Sequence, residues 1–486
     1  MTQGYHKYIF VFLSIALLKS CTLEPKYQKP ASPIAKEKIT EIEIIKSNKS
    51  NIVKEIERDI VEPIRDEVLW RDFFTDKNLQ KIIEVALKNN RDLKISALNI
   101  EAARSYYGIS RAALFPQINA INLVDKEKSS ASNYRTETSF ASQLAITSFE
   151  IDFFGKLRNL KKSALQDFFS TQQARDAVQI SLIAEVANAY LQFLLNHQNM
   201  MIALEIANAS EQQFQITKMR YESGIDAKAI YLSQKTQLNQ AKLNLASAQN
   251  QVSQSKNILR VLVGNYDKNI FDNLKQIQEI DDIIIAYDLL RFMPSTKLLN
   301  RPDIQQAEFN LKAANANIGA ARGAFFPSIM LTGSAGYSSD KLNNLFSPHS
   351  VWRYTPQINL PIFSGLANWS NLKLSHIRKK IEIVKYEQAI ENAFKELLDQ
   401  LAIKKATTER LSLSQEILEL QQEIYNITLA RYDLGNEAKF NMLQQKIIKL
   451  QSQQQYITSK TSHLSNLVNL YKTLGGGIES YKKQDI

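Results

Sequence analysis

Cysteine occurs once in the chain, at position 21, which excludes a disulfide within it. Histidine is nearly as rare: His6, His197, His349, His376 and His463 are scattered without the spacing that metal ligation needs. There is no Gly-rich phosphate loop and no G-x-S-x-G elbow. The usual apparatus of an enzyme is missing, so no catalytic residue, metal site or cofactor is expected. The formal charge is +11, yet the basic residues are spread beside Glu along helical stretches and form no block with interleaved aromatics. That describes a solvated surface and argues against nucleic acid as a partner. No apolar run reaches the length of a membrane-spanning helix.

Glycine and proline are also scarce, and their placement is informative. Residues 158–263 hold no Pro and one Gly, Gly224; residues 366–474 hold no Pro and one Gly, Gly435. Residues 158–222 as one helix would reach roughly 100 Å. Apolar residues recur there at steps of three and four, as in Ile417, Leu420, Ile424, Ile427 and in Leu443, Ile447, Leu450, Ile457, Leu464, Val468, Tyr471. This is coiled-coil spacing, interrupted at Gln454 and Thr461. Each stretch is expected to fold back at its glycine, which supplies the positive φ needed to leave a helix. Two long antiparallel hairpins result, with tips at 221–226 and 432–437.

What the chain does have begins at its N-terminus. His6 and Lys7 precede an apolar run over residues 9–18, followed by Lys19, Ser20 and Cys21. The run suits a signal peptide over 1–20. Cys21 after Ser20 resembles the lipobox of bacterial lipoproteins, with Lys19 a departure from that pattern. It implies lipidation of Cys21, and Thr22 in place of Asp favours the outer membrane. Residues 21–69 read as a lipidated, extended arm.

From residue 70 the chain is duplicated. Pro116 and Pro327 differ by 327 − 116 = 211, and at that offset Asp92 matches Asp303, Gly108 matches Gly319 and Arg111 matches Arg322. Arg220-Tyr221-x-x-Gly224 meets Arg431-Tyr432-x-x-Gly435, and Gly264 meets Gly475. The repeats are taken as 70–290 and 291–477, with a tail over 478–486. Each opens with a helical stretch, 78–113 in the first, that a Phe-Pro step ends. Strand character follows. In residues 352–362, Trp352, Tyr354, Ile358, Leu360 and Ile362 alternate with Arg353, Thr355, Gln357 and Asn359. Residues 328–337 alternate similarly; 117–124 and 139–152 lie at equivalent points. Four strands cannot close a barrel, and lipid does not tolerate an open edge. Three copies supply about twelve strands, within the range of outer-membrane barrels. Arg353, Gln357 and Asn359 would then face the lumen.

These segments resemble the TolC family of outer-membrane factors, in its lipoprotein (NodT/OprM-like) branch, over about residues 70–477. The resemblance is carried by LNRPDIQQAEFNLKAANANIGAARGAFFPSI, by FEIDFFGKLRN and LPIFSGLAN with their turn residues Gly155, Pro361 and Gly365, and by YKTLGGGI. It implies a mainly α fold with a small β part: two helical hairpins and four strands that become a membrane β-barrel and a periplasmic α-barrel in a homotrimer. It implies an exit duct for small molecules, drugs or metal ions, in a tripartite pump with a periplasmic adaptor and an inner-membrane transporter. The tip residues Tyr221, Gly224, Asp226, Ile230, Tyr432, Asp433, Gly435, Glu437 and Asn441 are the implied gate and adaptor contact. Family members commonly carry an acid six positions after the tip glycine. Ile230 and Asn441 stand there instead, leaving Asp226, Asp433 and Glu437 to supply charge. A type I protein-secretion channel is the alternative, less favoured by the lipobox and the Gly-Gly-Gly close. A periplasmic coiled-coil scaffold would leave the strands unexplained.

Overall fold

The structure, a computed structural model, describes residues 22–34, 69–128, 136–264, 279–283, 285–286, 295–347 and 350–476. The signal peptide, Cys21, most of the arm and the tail lie outside the described residues. The elements in chain order are α1 (Trp70–Phe73), α2 (Lys77–Asn89), α3 (Arg91–Ala112), β1 (Ile118–Lys128), β2 (Thr136–Ile151), α4 (Lys156–Glu222) and α5 (Lys228–Val263). They continue as α6 (Pro302–Gly323), β3 (Ser328–Ser339), β4 (Ser350–Asn359), α7 (Ala367–Asp433) and α8 (Lys439–Thr473). The duplication extends to element boundaries: α6 starts 302 − 91 = 211 residues after α3, and α7 starts 367 − 156 = 211 after α4.

The helix expected over 78–113 is two helices. Asn90 turns extended between α2 and α3. Its side-chain oxygen accepts from the Leu93 amide at 3.0 Å, capping α3, and its side-chain amide donates to the Leu262 carbonyl at 2.9 Å. An asparagine with both ends engaged gives more as a cap than inside a helix.

The chain forms two compact units, each drawing on both repeats: one from the described residues of 1–32, 98–173 and 303–389, the other from those of 33–97, 174–302 and 390–486. The first holds a four-stranded antiparallel sheet of order β1-β2-β3-β4. The strands exceed the sequence-based bounds at four ends, but β4 stops at Asn359 rather than at 362. Pro361 has no N–H to continue the ladder. Ile146 pairs with Gly333 and Phe149 with Leu331, so Thr147 and Ser148 together face one residue of β3, with Ser148 at φ 63°. This bulge advances the side-chain alternation by one, keeping Phe149 and Ile151 on the same face as Leu144 and Ile146. In the same unit, Ile304, Leu311 and Ile318 of α6 are fully buried, and Phe154 stacks on Phe326 at 4.7 Å.

The second unit is helical. Phe73 stacks on Tyr471 at 4.5 Å, with Phe74 against the same ring edge-on. The seam of α8 is buried from Leu443 to Tyr471. Thr461 stays in it by donating its hydroxyl to the Ile457 carbonyl at 2.7 Å, which removes the cost of a buried hydroxyl. On α7, by contrast, Ile417, Leu420, Ile424 and Ile427 are about half exposed, a seam without a partner in one copy. One correction concerns α4. A stretch of it is apolar enough, by composition, to cross a bilayer, but two thirds of that stretch is buried in the protein. It is a core helix.

Candidate functional site

At the first tip, α4 ends in a left-handed residue, Gly224 at φ 75°. The Ile225 amide donates to the Arg220 carbonyl at 2.8 Å and the Gly224 amide to that of Tyr221 at 3.0 Å. This is the paired bonding of a Schellman cap, and glycine fits its left-handed position. The Arg220 guanidinium then reaches across the turn. Its Nε and Nη2 donate to the two carboxylate oxygens of Asp226 at 2.9 and 3.0 Å. Those bonds hold the Asp226 carboxyl below the usual range. Tyr221 stacks on Tyr231 at 4.9 Å, and Ile230 is half exposed.

The second tip has the same backbone and a different clasp. Gly435 is at φ 77°, with the Asn436 amide on the Arg431 carbonyl at 2.8 Å and the Gly435 amide on that of Tyr432 at 2.9 Å. Glu437 stands where Asp226 stands, since 437 − 226 = 211. Its Oε1 accepts from the Asn441 side-chain amide at 2.8 Å and from the Ala438 amide at 3.2 Å. Arg431 lies 3.9 Å from Oε2. The carboxyl is held low first by Asn441, then by the Ala438 N–H, with Arg431 a smaller influence. The structure thus joins Tyr221, Gly224 and Asp226 around Arg220, and Tyr432, Gly435, Glu437 and Asn441 around Arg431. Asp433, the last residue of α7, is exposed. The two arginines were not singled out from sequence, although both begin the repeated Arg-Tyr-x-x-Gly anchor. The two hairpins pack together just behind the tips. Gln213 donates to the Phe440 carbonyl at 3.2 Å and to Gln444 at 3.1 Å.

Cross-strand partners share a face of a sheet, and the register separates two. Ile118, Ile146, Gly333 and Tyr354 form one row of the first face; Ala120, Leu144, Ala335 and Trp352 form the next. Leu144, Trp352 and Ile358 on it are at least 60% exposed. Arg353, Gln357 and Asn359 lie on the second face, opposite Ser334, Met330 and Ser328, with Thr332, Gln143 and Glu150. Strand β1 mixes the two, with Ile121 and Leu123 on the second face and Asn122 on the first. At the strand ends, Gly155 takes φ 76° and Gly365 φ 58°. Pro116 and Pro327 separate α3 from β1 and α6 from β3, and Pro361 follows β4.

A further feature had no signal in the sequence. Residues 22–32, read as part of an extended arm, form a strap fastened to the first unit. Glu24 accepts from Lys162 at 2.7 Å and from the Asn315 amide at 3.0 Å; that amide also donates to the Pro25 carbonyl. Thr22 donates to Asn159 at 3.0 Å, and Arg322 to the Leu23 carbonyl at 3.2 Å. Farther along, Lys29 pairs with Glu308. Burial opposes the charge on Glu308, but hydrogen bonds from Lys29 and Lys312 outweigh it and hold the carboxyl low. Among the described residues no cluster of His, Cys, Asp or Glu is placed to hold a metal ion.

The outer membrane efflux protein profile matches residues 82–265 and 293–476. The toluene efflux pump outer membrane protein TtgC of Pseudomonas putida is 36% identical over 468 residues, 95% of this chain and 93% of that one. The cation efflux system protein CusC of Escherichia coli is 32% identical over 462 residues, 95% of this chain and 97% of that one. Among solved structures, the open state of the Neisseria gonorrhoeae MtrE outer membrane channel superposes with a TM-score of 0.79 at 30% identity, covering 94% of this chain and 98% of that one. The chain belongs to the outer membrane efflux protein family.

Proposed function

We propose that three copies of the chain form the exit duct of a tripartite efflux pump, anchored in the outer membrane. The observation that carries this is the sheet. Its outer strands β1 and β4 each have one edge unpaired among the described residues, and its first face is apolar and exposed. Placing β4 of one copy beside β1 of the next preserves antiparallel order and closes about twelve strands with no edge left. The first face then meets lipid, and Arg353, Gln357 and Asn359 line the lumen.

The helices support the same assembly. Ile95, Leu98, Tyr106 and Ile109 of α3 are exposed, whereas α6, its counterpart in the second repeat, is buried. Gly319 of α6 lies so close to Asn159 and Glu24 that a Cβ would meet both, while its counterpart Gly108 has open space. A neighbouring copy covers α3 and the exposed seam of α7. Removal of residues 1–20 leaves Cys21 lipidated at the head of the strap. The hairpin tips are the gate and the contact for a periplasmic adaptor, which links the duct to an inner-membrane transporter. With Asp226 and Glu437 engaged inside their own tips, Asp433 is the one of the three acids singled out from sequence that is left to face a pore there. The duct itself performs no catalytic step.

The cargo is small molecules, organic compounds in the first place and metal ions in the second. Deleting the gene and measuring intracellular accumulation tests this, with a plasmid copy as control. Accumulation of a lipophilic dye, antibiotics and toluene is expected to rise and to return with the plasmid. A rise confined to copper or silver would make the duct a cation exit. Unchanged accumulation with a protein missing from the medium would replace this reading with type I secretion.

A further inference from the structure

The far end of β1 carries a segregation of charge that the exit function does not use. All four strands join helices at one end, at Ile118, Ile151, Ser328 and Asn359. The opposite, hairpin end is therefore the outer one in the barrel reading, on which this inference rests. Toward that end β1 runs Asp125, Lys126, Glu127, Lys128. Lys126 pairs across the ladder with Thr138 and Lys128 with Thr136, on the lipid-facing side with Val124 and Phe140. Asp125 and Glu127 fall on the lumen side, where Glu127 lies directly opposite Glu137. Like charges opposed on a sheet are destabilising unless water screens them, which a wet channel mouth provides. The acids face the water and the bases face outward.

The depth of the lysines identifies what they meet. At about 3.4 Å per residue and a tilt of roughly 40°, Lys126 lies about 21 Å of bilayer depth from Ile118, and Lys128 about 26 Å. The apolar band of such barrels is about 25 Å tall, so the pair straddles its outer boundary, at the level of lipid headgroups. Two ammonium groups about 7 Å apart along the strand, with threonine hydroxyls opposite each, suit phosphate oxygens. Strand β1 is an edge strand, so the pair sits beside the joint between copies.

We propose that Lys126 and Lys128, with Thr136 and Thr138, bind the phosphate monoesters of an outer-leaflet glycolipid, one site per copy. Bound there, the lipid braces the joint between β1 and the neighbouring copy's β4.

The test is native mass spectrometry of the full-length assembly in detergent, using a synthetic bis-phosphorylated glucosamine-disaccharide lipid, its dephosphorylated form, and phosphatidylglycerol. The phosphorylated glycolipid is expected to bind up to three per trimer and to outcompete the other two. In the Lys126→Gln/Lys128→Gln variant its affinity should fall about 10- to 30-fold, and Lys126→Arg/Lys128→Arg should retain it. Equal binding of the dephosphorylated lipid or of phosphatidylglycerol would overturn the proposal, as would unchanged affinity in the glutamine variant. The barrel reading is checked separately in proteoliposomes by brominated-lipid quenching of the fluorescence lost in Trp352→Phe. Quenching there with no lysine effect removes only the lipid site; no quenching removes the barrel and the site together.

Discussion

Arg220 and Arg431 occupy equivalent positions yet act differently on their tips. Arg220 grips both oxygens of Asp226, while Arg431 stands off from a Glu437 that Asn441 has claimed. Asp226 is held low in the folded tip. Its contribution is therefore complete at neutral pH and is lost only as pH falls through that depressed value, below about 4. Hydrogen exchange at the Ile225 amide should be level from pH 7 to 5 after correction for intrinsic rate. It should accelerate below pH 4, and Arg220→Gln should abolish that step. Backbone effects can be ranked too. Gly224→Ala forces a side chain into the left-handed region with open space around it, a cost of about 1–2 kcal/mol. Gly264→Ala adds a collision, because its Cβ would stand 2.5 Å from the Asn89 carbonyl oxygen. It should lower the thermal midpoint further than Gly224→Ala; equal shifts would contradict the ranking. At this scale the glycines were legible, since a lone Gly in a hundred residues of helix has few other uses. The clasps were not. Arg220 and Asp226 are six residues apart around a turn, and no periodicity links them.

Elements were legible where one periodicity ruled and hidden where two overlapped. Strand β4 alternates cleanly from Trp352 to Asn359 and reads as a strand at once. Strand β2 does not, because the extra residue at Thr147–Ser148 changes its phase midway, so that Leu144, Ile146, Phe149 and Ile151 share a face without a constant step of two. Deleting Ser148 should remove the bulge and restore a constant step of two, with Phe149 and Ile151 still on the face of Leu144 and Ile146. Undiminished membrane-inserted protein in flotation gradients is the expected outcome, and loss of insertion would show that the bulge itself is needed. The strap was hidden for another reason: its partners lie more than a hundred residues away. Glu24→Ala leaves Lys162 without its carboxylate and Asn315 without one acceptor in a largely buried place, a local cost of about 1–3 kcal/mol. Limited trypsin digestion should then cut after Lys26 faster than in the unaltered protein, with the helical hairpins still intact.

For the whole molecule, the duplication was plain in sequence, and the grouping into two compact units was not. Residues 98–173 and 303–389 come together across repeats, through contacts that a single offset of 211 does not reveal. The half-exposed α7 seam makes a prediction here. Ile417→Asp with Ile424→Asp places charge where a neighbouring copy must pack and should convert trimers to monomers by light scattering in detergent. The unpaired margins of β1 and β4 also bear on inheritance. A ring that closes at three stops growing, because nothing adhesive is left, and it has no means to replace a faulty member. A copy whose β4 margin cannot pair would spoil every ring it entered. With equal amounts of faulty and sound protein in one cell, about one ring in eight would be free of it. Such an allele should be dominant, and drug sensitivity should appear while half the protein is still sound.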